Sequence, residues 1–206
     1  MPNLVFEKLY GFHDGMIICG VDEAGRGPLA GPVTAAAAIL PAKLPRDIKS
    51  GIRDSKKMTP DQREEIFGPL TSLCRYAVAE ATVQEISKLN ILWASMLAMK
   101  RAIEALREKI DVALIDGNRV PKPLDCPAVA IVAGDDKSLS IAAASIFAKV
   151  TRDRHMKKLA EKYPGYGWER NFGYPTPEHL AALKKLGPTD CHRDSFAPVY
   201  QLSLLN

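Results

Sequence analysis

The chain reads as an α/β domain: a mixed central sheet flanked by helices, followed by a small helical C-terminal extension. Three observations point there. Short apolar runs of strand length alternate with longer stretches of helical periodicity, the pattern of a layered α/β architecture. Two early apolar runs, Ile17 to Val21 and Val33 to Leu40, are separated by a Gly/Pro-rich turn, which marks an antiparallel hairpin. Three runs end in acid, at Asp22-Glu23, Asp116 and Asp135-Asp136, and strand ends are where α/β folds place their sites.

The bulk properties fit this reading. At 206 residues, with 47% hydrophobic and 25% charged side chains, the chain has the size of one domain, 1–206, and needs no disulfide staples. Its net charge of +4 is compatible with a polyanionic partner without specifying one. The four cysteines, Cys19, Cys74, Cys126 and Cys191, form no paired motif, which argues for reduced thiols and against a zinc site. No run has membrane-spanning length and no signal-peptide pattern opens the chain, so a cytoplasmic protein that binds no membrane is expected. A monomer is expected as well, and no stretch identifies a tether to replication or repair machinery.

In chain order, the first strand runs to the acids and the alanine-rich run after Gly31-Pro32 forms the second, although its alanines also suit a helix. Residues 41–57 read as loop. Thr59, Pro60 and Gln62 open a helix with a capping box, and Gly68-Pro69 is expected to close it. Leu73 to Ala81 alternates as a strand. Thr82 and Glu85 form a second capping box, opening a helix expected to reach about Ile110, with Ile91, Trp93, Met96, Leu97, Ile103 and Leu106 as its core stripe. Strands follow at 111–118 and 128–133. Ser138 caps a helix to about Lys162, small and apolar in its first half and basic in its second. Thr176 caps a last helix, which stops at Gly187-Pro188, and the C-terminus after Cys191 is expected to be irregular.

The acidic strand ends carry the chemistry. Buried carboxylates are costly unless a cation or donors compensate them. Four of them without a His or Cys cluster favour a hard, oxygen-loving ion such as Mg²⁺ or Mn²⁺. A pair of such ions roughly 3.5–4 Å apart suits in-line phosphodiester hydrolysis, one activating water and the other stabilising the leaving oxygen. Asp22 and Glu23 raise a geometric condition, because neighbours on a strand face opposite sides. Either the strand ends between them or the longer Glu23 side chain curls round. The glycines that follow allow a ligand close to the backbone.

Seven segments resemble the ribonuclease HII family, and they come in that family's order over about residues 17–200. They are Gly20 to Leu29, Asp54-Ser55-Lys56-Lys57, Leu89 to Leu92, Leu114 to Asn118, Ala142 to Val150, Gly173 to Thr176 and His192 to Phe196. The resemblance implies a ribonuclease H-like fold, with a core at about 17–170 and a helical segment at about 171–206 that completes the substrate cleft. It implies cleavage of the RNA strand of RNA–DNA hybrids and incision 5′ of single ribonucleotides in duplex DNA, leaving 3′-hydroxyl and 5′-phosphate ends. The family's metal-site acids fall on Asp22, Glu23, Asp116 and Asp135, with Asp136 adjacent to the fourth.

The family's ribose-reading motif falls on Gly25, Arg26 and Gly27, which agrees with a glycine-rich backbone able to approach the 2′-hydroxyl that separates RNA from DNA. Its junction-sensing tyrosine falls on Tyr174. Lys56, Lys57, Lys149 and Arg193 are candidate phosphate contacts. Many relatives carry His-Lys where this chain has Asn171-Phe172, so neither of those residues is assigned to substrate. Two other readings compete: a non-catalytic nucleotide-binding module built on the glycine turn, and a different carboxylate metallonuclease. The acidic pair beside the turn argues against the first, and the ribose-reading loop with Tyr174 argues against the second.

Overall fold

The alanine-rich run after the glycine turn forms a strand. In this computed structural model, which describes residues 1–203, Ile18–Ala24 (β1) pairs antiparallel with Val33–Ile39 (β2), setting Cys19 opposite Ile39 and Ala24 opposite Thr34. On its other side β2 pairs antiparallel with Arg75–Ala81 (β3). Held between two neighbours, Ala35 to Ala38 are fully buried, so tertiary pairing outweighs alanine's helical preference. Val112–Asp116 (β4) lies parallel to β1, and Ala128–Ile131 (β5) parallel to β4. The result is the expected mixed sheet, in the order β3-β2-β1-β4-β5.

Helices cover both faces. Val5–Leu9 (α1), Arg46–Gly51 (α2), Pro60–Leu73 (α3), Val83–Ala105 (α4) and Leu139–Lys162 (α5) precede the tail helices Trp168–Asn171 (α6), Pro177–Leu186 (α7) and Ala197–Ser203 (α8). One core lies between the sheet and α4, built from Val21, Val33, Ile86, Met99 and Ile115. A second packs the opposite face against α5 and α3, with Leu70, Ile146 and Phe147. The small residues of β2 and of the first half of α5 allow this close approach. A Cβ at Gly20 would stand 2.1 Å from the Ser140 carbonyl carbon.

The capping boxes at Thr59/Gln62 and Thr82/Glu85 both form. Several boundaries depart from the sequence reading. Helix α3 continues through Gly68-Pro69 to Leu73, because Pro69 is exposed while Leu70 and Cys74 anchor the last turn in the core. Helix α4 stops at Ala105 rather than near Ile110, and Arg107 then takes a positive φ. It also breaks at Asn90 (φ 65°), whose Oδ1 accepts from the Leu92 and Trp93 backbone N–H groups and recaps the second half. That break turns Trp93 outward, 51% exposed, so it does not belong to the core stripe. Residues 41–57 contain α2 and a short 3₁₀ turn, Ser55–Lys57. The expected irregular C-terminus holds α8, and the end of the expected C-terminal segment, 204–206, falls outside the described residues.

Candidate active site

Strand β1 does not end between its two acids. It stays paired with β2 through Ala24, but its pairing with β4 stops at Val21 opposite Ile115. Beyond that last rung, carboxylate oxygens of Asp22, Glu23 and Asp116 come within 4.8 Å of one another. Asp22 is buried, and Glu23 and Asp116 are half-buried. The Asp22 carboxylate accepts from the Glu23 backbone N–H at 2.7 Å, and Asp116 accepts from the Gly134 N–H at 2.7 Å. Burial, then the repulsion of Glu23 and Asp116, holds Asp22 well above the usual carboxylate range. Burial likewise raises Glu23, against the pull of Arg26, and raises Asp116, against its Gly134 bond. A buried, all-oxygen and mutually repelling donor set is what a hard divalent cation would neutralise.

Asp135 is 5% exposed and lies on the 3₁₀ turn Gly134–Asp136, which Ala133 enters in a left-handed conformation (φ 53°). It adds to the negative field at Asp116. Lys56 Nζ meets Asp135 at 3.1 Å, and the carboxylates of Asp22, Asp135 and Asp54 raise its pKa although burial opposes them. Lys57 instead pairs with the more exposed Asp136 at 2.5 Å. Both lysines therefore stand at the acids.

The glycine loop after β1 bends back under itself. Gly25 has φ +93°, and a Cβ there would fall 1.9 Å from Arg152 Nε. Arg26 and Gly27 face solvent, and Arg26 reaches Glu23 at 3.3 Å. The Tyr174 ring faces Gly27: a Cβ placed there would stand 3.6 Å from it, an ordinary van der Waals contact. The loop and tyrosine segments are joined by the Leu29 N–H, which donates to the Gly173 carbonyl at 2.7 Å. Lys149 is paired with Asp153 at 2.7 Å, with its ammonium 4.9 Å from the Phe172 ring centre and 5.9 Å from that of Tyr174.

Arg193 departs from the expectation of a phosphate contact. It is fully buried, and among the described residues its guanidinium donates hydrogen bonds only to the carbonyls of Gly25, Arg26, Gly31 and Pro32. Asn171 is structural too: it bridges the Tyr166 carbonyl and the Gly173 N–H. Sequence reasoning missed Arg152 and the pair His179 and His192. Arg152 is one of several cations in the basic half of its helix, and nothing in the sequence pattern singles it out.

Acids gathered at adjacent strand ends of a five-stranded mixed sheet, with helices on both faces, define a ribonuclease H-like fold carrying a hydrolase site. The family profile described as Ribonuclease HII matches residues 19–199. A ribonuclease HII from Paramagnetospirillum magneticum is 53% identical over 205 residues, 99% of this chain and 100% of that protein. Among solved structures, the ribonuclease H2 from Pyrococcus horikoshii OT3 aligns with a TM-score of 0.76 at 30% identity, over 92% of this chain and 98% of that one. Bst-RNase HIII, solved in complex with Mn²⁺, aligns with a TM-score of 0.70 over 92% of this chain and 70% of that one; at 18% identity the likeness is one of fold alone. The chain belongs to the ribonuclease HII family: it is a metal-dependent endoribonuclease acting on RNA–DNA hybrids.

Proposed function

We propose that, besides the RNA strand of hybrids, the enzyme incises duplex DNA 5′ of a single embedded ribonucleotide, leaving a 3′-hydroxyl and a 5′-phosphate. The observation that carries this reading is that the Tyr174 ring faces Gly27 of the glycine loop, next to the acids, with the two segments joined by the Leu29–Gly173 hydrogen bond. Asp22, Glu23, Asp116 and Asp135 would hold two Mn²⁺ or Mg²⁺ ions, whose Lewis acidity would activate water and neutralise charge on the leaving oxygen. The backbone of Gly25, Arg26 and Gly27 reads the 2′-hydroxyl and brings the adjacent phosphate to the acids. The Tyr174 ring packs on the next sugar, where a deoxyribose fits and an added hydroxyl would be desolvated. Lys56, Lys57 and Lys149 line the path of the phosphodiester backbone and exchange their carboxylate partners for phosphates. The 171–203 segment completes the cleft by supporting the loop and Tyr174.

The decisive substrate is a DNA duplex with one internal ribonucleotide, incubated with Mn²⁺ or Mg²⁺ and then with excess chelator. A single metal-dependent nick on the 5′ side, with ends as stated, is the expected product. Absence of that nick, with hybrid cleavage retained, would confine the enzyme to hybrids. Cleavage of an all-DNA control would favour the broader metallonuclease reading.

A further inference from the structure

The loop from Gly25 to Pro32 is held from inside the protein by two arginines distant in sequence. Arg193 Nε donates to the Gly31 carbonyl at 2.9 Å, and one terminal nitrogen to Arg26 at 3.0 Å. Its other nitrogen donates to Gly25 at 2.6 Å and Pro32 at 3.1 Å. Arg152 donates to the carbonyls of Pro32, Ala30 and Phe172, each at 3.1 Å. Both are 0% exposed, and among the described residues neither forms an ion pair with a carboxylate. Fully buried arginines ordinarily pair with an acid, since an uncompensated charge is costly to bury. Here the hydrogen bonds come from backbone carbonyls of one loop and of the residue preceding Gly173-Tyr174, and the Phe196 ring centre lies 5.1 Å from the Arg193 guanidinium carbon.

This arrangement dictates where the loop's donors point. A trans peptide is planar, so its carbonyl and its N–H face opposite ways. Arg193 draws the Gly25 and Arg26 carbonyls inward, and the N–H groups of Arg26 and Gly27 therefore face the cleft. Arg152 ties the same loop to the tyrosine segment through Phe172. A lysine could not replace either residue. One ammonium offers three donors from a single point, whereas these guanidinium forks span carbonyls spaced along the loop.

We infer that Arg193 and Arg152 are positioning residues for sugar discrimination, holding the Gly25–Gly27 backbone in the orientation that distinguishes ribose from deoxyribose. The inference rests on the proposed ribose-reading role of that loop, and its test separates the two. Anisotropy titrations in chelator compare a duplex carrying one ribonucleotide with the same all-DNA duplex, for the wild type, Arg193→Lys, Arg193→Gln and Arg152→Lys. Calorimetry of Mn²⁺ binding reports on the acids independently.

The wild type is expected to prefer the ribonucleotide duplex. Folded variants should lose about tenfold of that preference, the equivalent of one charged hydrogen bond, while binding all-DNA duplex and Mn²⁺ as before. A wild type without preference would refute the ribose-reading role itself. A preferring wild type beside folded variants with full preference, or with both duplex affinities reduced alike, would overturn the positioning role. Failure of all three variants to fold would overturn it too, by making the arginines supports of the fold alone.

Discussion

Gly20 is where a single methyl group governs how the sheet meets its longest helix. An alanine there would drive its Cβ to about 2 Å from the backbone of Ser140 and Ile141, and neither backbone atom can swing aside as a side-chain tip can. Gly20→Ala is expected to cost about 3 kcal/mol or more, read as a lowered urea midpoint, with activity falling alongside because Asp22 shares the strand. Tyr174 should behave oppositely. Its ring is 39% exposed, so Tyr174→Ala removes little burial. We expect a thermal midpoint within a few degrees of wild type and at least about a tenfold loss of incision at a lone ribonucleotide. A loss of activity that merely tracks unfolding would make the tyrosine a packing residue. Nothing in the residue types alone separated Tyr174 from Arg193; burial assigns one to the cleft surface and the other beneath it.

Between elements, a line of polar contacts joins α6, α7 and the segment before α8. The Thr189 N–H donates to His192 Nδ1 at 2.9 Å, which leaves the proton of a neutral His192 on Nε2. That nitrogen lies 3.2 Å from His179 Nε2, which also accepts from Trp168 Nε1 at 3.0 Å. His179 Nδ1 therefore carries its proton and donates to the Tyr174 carbonyl at 3.0 Å. Burial lowers both imidazoles, and His192 is pushed down to about 4 by burial and then by His179. Below its ordinary pKa of 6.5, the unfolded chain binds a proton that the folded His192 refuses. Stability is thus fully present above pH 6.5 and lost as the pH falls toward 4, by about 3 kcal/mol. Denaturant midpoints across this window should fall more steeply for wild type than for His192→Asn; parallel curves would remove His192 as the cause. The capping residues Thr59, Thr82, Ser138 and Thr176 were legible because a cap is a local bond. The helix through Pro69 and the break at Asn90 were not, because distant packing decides them.

For the molecule as a whole, the acids set a balance between folding and chemistry. With Asp22, Glu23 and Asp116 crowded together, the metal-free protein carries repulsion that a bound cation would relieve. Added Mn²⁺ should raise the wild-type melting temperature. Asp116→Asn should melt higher than wild type in chelator, by about 3 °C for each kcal/mol of repulsion removed, gain less from Mn²⁺, bind hybrid and fail to cleave it. Near-normal turnover by that variant would sink the assignment of Asp116 to the metal site.

Acidic strand ends, caps and the alternation of strand with helix are contiguous patterns, and they were enough to read the α/β class and a candidate carboxylate set; the family came from the resemblance of seven ordered segments. Whether Asp22 and Glu23 could serve one site depended on where β1 parts from β4, a matter of strand register. The role of Arg193 depended on long-range contacts as well, since its bonds reach residues 161 to 168 positions away. The stretch from Val21 to Gly27 carries its chemistry in its residue types. The direction in which that backbone presents its donors is imposed from the far end of the chain, through bonds that no local pattern records.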